Sequence, residues 1–119
     1  MQFDTQNTDE SVLYKLLTGT IIPRPIGWIS TVDRNGVNNL APFSYFNLVS
    51  HDPPCVMFST GRAKNNNKDT LNNVLQNGQF VVNLATLDIV EQMNATSATV
   101  PSEIDEFELA NVTPIDSVF

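Results

Sequence analysis

Hydrophobic positions fall along the chain in short blocks whose spacing switches from helical to alternating and back. Leu13, Leu16 and Leu17 recur at helical intervals, so residues 9–17 read as a short helix with one apolar face. Thr8 or Asp9 can cap it, and Gly19 supplies a stop. Pro23-Arg24-Pro25 then holds the backbone extended. Residues 25–32 alternate as a strand, with Ile26, Trp28 and Ser30 on one face and Gly27, Ile29 and Thr31 on the other. Asp33-Arg34-Asn35-Gly36 is a hairpin turn, because Asn-Gly accepts positive φ, and residues 37–42 return as the partner strand. Residues 43–54 mix aromatics with turn formers and read as a loop. Residues 55–59 are apolar nearly throughout, which predicts a third strand buried on both faces, with Cys55 a buried, inert thiol. Residues 70–77 predict a helix with Leu71, Val74 and Leu75 on one face and Gly78 at its C-terminal end. A fourth strand follows over 79–85 and a further short helix over 88–93, whereas Asn65-Asn66-Asn67 reads as loop.

Four strands, the first two in a tight hairpin, with helices inserted later, predict a mainly β fold: an antiparallel barrel with helical excursions. The 119 residues fit a single domain.

Charge changes this picture in one respect. Six basic residues against thirteen acidic ones give a formal charge of −7. Such a balance argues against binding to nucleic acid or to an anionic membrane. Yet all six cations lie between Lys15 and Lys68, and from Asp69 onward there are acids and no base. An anionic ligand must be gripped by the first 68 residues or by backbone amides. The acidic half reads as a solvated face. One cysteine excludes an intrachain disulfide and a Cys-rich metal centre. No apolar run reaches membrane-spanning length and the N-terminus is unlike a signal peptide, so a cytoplasmic protein is expected.

Three segments can carry chemistry. Lys68-Asp69-Thr70 opens a helix whose free N–H groups and dipole favour an anion. It reads equally as a helix cap beside a solvated lysine, and spacing alone favours the cap. Pro42-Phe43-Ser44-Tyr45-Phe46 can flank a planar ligand or plug a core. Arg24, fixed between prolines, can grip a phosphate or a carbonyl, or pair with a surface acid. The lone His51 gives no Ser/His/Asp arrangement, and the carboxylates show no metal-ligand spacing, so no catalytic side chain and no metal site are assigned. Spacing alone stops at a small acidic β domain with a candidate anion site.

The words of the sequence go further. Residues 23–31 (Pro-Arg-Pro-Ile-Gly-Trp-Ile-Ser-Thr) and residues 39–47 (Asn-Leu-Ala-Pro-Phe-Ser-Tyr-Phe-Asn) resemble the flavin reductase-like family. So do Asp52-Pro53-Pro54, Lys68-Asp69-Thr70, Phe80-Val81-Val82-Asn83 and the stretch from Asp105 to Ala110, in order from about Leu17 to Pro114. The resemblance implies an FMN-binding split barrel with FMN at a homodimer interface. It implies Lys68, Thr70 and Ser44 as candidates for the phosphate, with Asp69 capping the helix or holding the loop. Arg24 and Ser30 would face the flavin or its ribityl chain. Ala41, Pro42 and Phe43 would wall the isoalloxazine, and Ser59 is a further candidate. The implied activity is an oxidoreductase in which FMN accepts hydride from NAD(P)H and passes electrons on. A non-catalytic flavin or electron-transfer module, or an inert remnant, are the rival readings. Family members carry further strands that close the barrel, so the chain reads as one flavin reductase-like domain truncated at its C-terminus.

Overall fold

The computed structural model describes residues 2–61 and 67–118. Asn65 and Asn66, part of the expected Asn loop, lie outside the described residues.

Helix α1 spans Glu10–Thr20, and Asp9 caps it by accepting a hydrogen bond from the Ser11 N–H at 2.8 Å. It runs through Gly19 instead of stopping there. The Thr18 and Thr20 hydroxyls donate back to the Tyr14 and Leu16 carbonyls, each at 2.7 Å, and keep the last turn closed. Strands β1 (Gly27–Val32) and β2 (Asn38–Phe43) pair antiparallel, from Gly27 opposite Phe43 to Val32 opposite Asn38. In the intervening turn, Asp33 Oδ1 accepts from the Asn35 and Val37 N–H groups at 2.7 and 2.8 Å, while Gly36 takes a φ of 85°.

The expected loop over 43–54 is instead largely a strand. β3 (Phe46–His51) pairs antiparallel with β4 (Pro54–Phe58) to form a second hairpin. Its Asn, Leu, Val and Ser residues alternate poorly in polarity, which hid the strand. The expectation that β4 is buried on both faces also fails. Pro54 to Met57 are exposed, Cys55 included, because among the described residues β4 hydrogen-bonds only to β3 and neither face of this ribbon is fully covered.

Helix α2 (Asp69–Asn77) ends at Gly78 in the left-handed conformation with φ 70°. β5 (Val81–Asn83) then pairs antiparallel with β1, completing a sheet of order β2-β1-β5. A 3₁₀ turn (Leu87–Ile89) leads into α3 (Val90–Ala95), and α4 (Glu106–Leu109) closes the described chain. Among the described residues five strands replace the four expected, in a mainly β architecture with helical elements. No helix among the described residues is long and apolar enough to cross a membrane.

The apolar core is small: Trp28, Ile29, Leu40, Phe43 and Ala110. α2 packs on β1 and β2, and α4 packs on β2. The face of α2 turned inward matches the leucine-valine face read from the sequence only in part, with Leu71 and Val74 half-buried. Thr70 and Asn73 are its buried residues, whereas Leu75 is 71% exposed. The helix therefore docks through a polar stripe, Thr70 and Asn73, with half-buried Leu71 and Val74 beside it.

Candidate functional site

That polar stripe builds the floor of a cleft. The Thr70 hydroxyl donates to Asn39 Oδ1 at 2.6 Å, and the Thr31 hydroxyl donates to the same oxygen at 3.2 Å. Asn73 Nδ2 donates to Thr31 Oγ1 at 3.0 Å. On its other side Asn39 donates from Nδ2 to Glu106 Oε1 at 3.0 Å, and the Leu40 N–H donates to Glu106 Oε2 at 3.1 Å. Strands β1 and β2 and helices α2 and α4 are thus joined by one buried network. No buried side-chain nitrogen or oxygen is left without a partner among the described residues.

Glu106 is 6% exposed, and no cation pairs with it among the described residues. Burial pushes its carboxyl above the ordinary glutamate range, and the charge of Asp69 pushes the same way. The Leu40 and Asn39 hydrogen bonds pull it back without reversing the shift. Because the folded value exceeds the unfolded one, the folded chain holds this proton more firmly. Stability from Glu106 is therefore greatest below the unfolded value and falls as pH rises through the folded one.

The cleft above this floor has a volume of about 720 Å³. Asn39, Ala41 and Pro42 form one wall, Lys68 to Thr70 the second, and the segment from Thr96 to Val100 the third. Lys68 occupies the cap position of α2 with no side-chain hydrogen bond to the helix. Asp69 and Thr70 lie inside the first turn, so neither is the cap that the sequence suggested. Lys68 leaves the first-turn N–H groups without a side-chain cap, at the end of the helix where partial positive charge gathers. The acidic Asp69 sits in the same turn and works against that charge.

Of the residues singled out from sequence, Ala41, Pro42, Lys68 and Thr70 meet in this cleft. Phe43 is buried beneath it, with the Lys68 ammonium 5.3 Å from its ring centre. The Phe43 ring touches Phe58 at 5.2 Å, and Ser59 follows directly, its N–H donating to the Tyr45 carbonyl at 2.9 Å. Arg24 lies over the Tyr45 ring at 5.7 Å, next to half-buried Ser44. Ser30 stands apart. Its hydroxyl accepts from Asn83 Nδ2 at 3.0 Å and borders a different cavity, with Phe80, Val81 and Phe107. Asn39, Asn73 and Glu106 were assigned no role from sequence. Nothing in their local pattern announces a network whose partners are up to 67 residues apart.

The model of the family described as "Flavin reductase like domain" matches residues 18–119. The chain belongs to the flavin reductase-like family. An uncharacterized protein of Aquifex aeolicus is 46% identical over 120 residues, covering all of this chain and 61% of its own length. Nitrilotriacetate monooxygenase component B from Bacillus cereus superposes with a TM-score of 0.92 at 41% identity, over 98% of this chain and 58% of that one. The Pseudomonas fluorescens 2-nitrobenzoate 2-nitroreductase NbaA gives 0.85 at 30% identity, over 99% and 56%. The fold is the split barrel of this family. This flavin reductase-like chain spans less than two thirds of the length of each of these relatives.

Proposed function

We propose that this flavin reductase-like chain binds FMN in the cleft at the start of α2 and serves an oxidoreductase that draws hydride from NAD(P)H. The observation that carries the reading is the uncapped N-terminus of α2, opening with Lys68 into a cleft large enough for a nucleotide-sized ligand. The donor set fits a phosphate: first-turn amides that no side chain caps, together with an ammonium. The Thr70 hydroxyl is already donated to Asn39, so Thr70 contributes through its backbone N–H. Ala41 and Pro42 wall the ring, and Phe43 supports Lys68 from below. Ser44 and Ser59, which flank the second hairpin, and Arg24, which lies over Tyr45, are proposed as further FMN contacts although they are not among the residues lining this cleft. Ser30 is left out of this site, since it borders another cavity. FMN, when bound, supplies the hydride and electron chemistry; the protein binds and orients it. No side chain is given the role of acid or base. We place the protein in the cytoplasm and the cofactor at a homodimer interface; sedimentation in the analytical ultracentrifuge should give the mass of a dimer, and a monomer would overturn the interface.

After incubation with FMN and removal of unbound flavin by gel filtration, the protein should retain flavin absorption bands, and these should bleach on anaerobic addition of NAD(P)H. Flavin that stays oxidised with NAD(P)H but is reduced by dithionite identifies an electron-transfer module instead. The Lys68→Ala variant should bind FMN more weakly by about tenfold or more, the scale of a charge-assisted hydrogen bond. Unchanged affinity in a fluorescence titration would remove Lys68 from the site.

A further inference from the structure

We propose that a second, polar groove between α2 and the first hairpin holds the adenosine-side ribose of the nicotinamide donor and favours NADH over NADPH. The inference rests on the reading of NAD(P)H as hydride donor. It deepens that reading by giving the donor a place and a selectivity.

The groove has a volume of about 360 Å³. It shares Asn39, Asp69 and Ser102 with the larger cleft, so a ligand that reacts in the cleft can extend into it. One side is a stripe along α2. Asp69, Asn72, Asn73 and Gln76 stand at i, i+3, i+4 and i+7 and share one helix face. Hydrogen-bonding capacity on this stripe is unspent. Asn73 is 5% exposed, and its Nδ2 donates to Thr31. Its Oδ1 accepts from none of the described residues. No fully buried side-chain oxygen among them lacks a partner, so Oδ1 opens on the groove that Asn73 lines. Asp69 is half-buried, yet its carboxylate accepts no hydrogen bond and meets no cation among the described residues. Asn72, also half-buried, spends neither its donor nor its acceptor on them.

Two free acceptors with a free amide beside them suit a ligand that both donates and accepts, as hydroxyls do. A carboxylate is the group that takes a ribose diol. Val37 is the sole apolar side chain of the lining and no aromatic ring is present, so the groove suits a sugar and leaves the base outside. Charge sets the selectivity. Asp33 and Asp69 stand in the lining against the single guanidinium of Arg34. Asp33 spends its oxygens on the Asn35 and Val37 N–H groups and the Asn35 amide, which leaves Asp69 to meet the diol. A 2′-phosphate at that position would be repelled.

ADP-ribose tests the groove without flavin or hydride transfer. Added to the ligand-free whole chain, it should shift the side-chain amide NMR signals of Asn72 and Asn73. It should bind about tenfold more weakly to Asn72→Leu, which fills the groove from a position outside the cleft lining. Amide signals that do not move in the wild type overturn the proposal, whatever FMN does and whether or not the variant folds. The second measurement is anaerobic stopped-flow reduction of the FMN-loaded protein. Half-saturation should come at about tenfold lower NADH than NADPH, and Asp69→Asn should close most of that gap. Asn72→Leu should raise the NADH half-saturation about tenfold, with FMN affinity measured alongside. A loss in FMN affinity alone overturns the proposal, and equal or better use of NADPH overturns the selectivity. If D-ribose moves the same amides while Asn72→Leu leaves half-saturation unchanged, the groove is a free-sugar site and the donor assignment is overturned. FMN reduced by neither nucleotide removes the donor reading and the donor assignment with it, while the ADP-ribose titration still decides whether the groove takes a ribose.

Discussion

Trp28→Ala should destabilise the chain by about 3–5 kcal/mol, the usual range for truncating a large buried aromatic. Trp28 is 4% exposed at the second position of β1, the central strand of the three-stranded sheet. Its indole Nε1–H donates to Thr96 Oγ1 at 2.9 Å, tying the end of α3 to the sheet across 68 positions of sequence. The truncation therefore leaves a cavity and releases a wall of the cleft together. Trp28→Phe separates the two effects. It keeps much of the packing and removes the hydrogen bond, which should cost about 1 kcal/mol. Thr96 stays satisfied in that variant, because its hydroxyl also donates to the Met93 carbonyl at 2.8 Å. Trp28 is the sole tryptophan, so unfolding of all three proteins must be followed by far-UV circular dichroism in urea. A loss below about 1 kcal/mol for Trp28→Ala would show that this core is not the one holding the sheet.

The second large effect is expected one residue earlier. A Cβ added at Gly27 would fall 2.6 and 2.8 Å from two ring carbons of Phe46. One of those is Cγ, close to the backbone of β3, so the ring cannot simply swing its far end away. Gly27 is not among the glycines with positive φ, so the penalty is contact and not backbone strain. Gly27→Ala should cost about 2–3 kcal/mol, at the upper end of overpacking effects. With Phe46→Leu the same alanine should cost much less, giving a coupling energy on the order of 1 kcal/mol in a double-mutant cycle. Additive losses would mean that the second hairpin does not bear on β1 at this point.

How much of this was legible in the sequence follows from where each interaction lives. The first hairpin and the end of α2 were readable because Asp33, Gly36 and Gly78 act on their own neighbours. The β3 strand was missed because Asn47, Leu48, Val49 and Ser50 carry no clean alternation and two turn-like segments flank them. Cys55 was placed inside because an apolar run was taken as a buried one. Burial depends on what covers a strand, which the run itself does not state. The cleft was found through Lys68 and Thr70, whose words resemble a family, and in part through Ala41 and Pro42. Its floor was not found. The apolar residues of α2 drew the eye, yet Leu71 and Val74 are only half-buried and Leu75 is exposed, while Thr70 and Asn73 are the buried positions. Long-range polar partners such as Asn39 and Glu106 have no period to betray them.

The polar stripe that seats α2 also bears on how the molecule opens. A helix whose fully buried positions are polar, with Leu71 and Val74 only half-buried, uncovers less hydrocarbon surface when it lifts away than one seated on an apolar face. Its release should have a shallow dependence on denaturant and a small heat-capacity change. In native-state hydrogen exchange, amides of α2 should then open together as a separate unit, at a free energy below that of β1. The entrance to the cleft would breathe while the sheet beneath it stays shut.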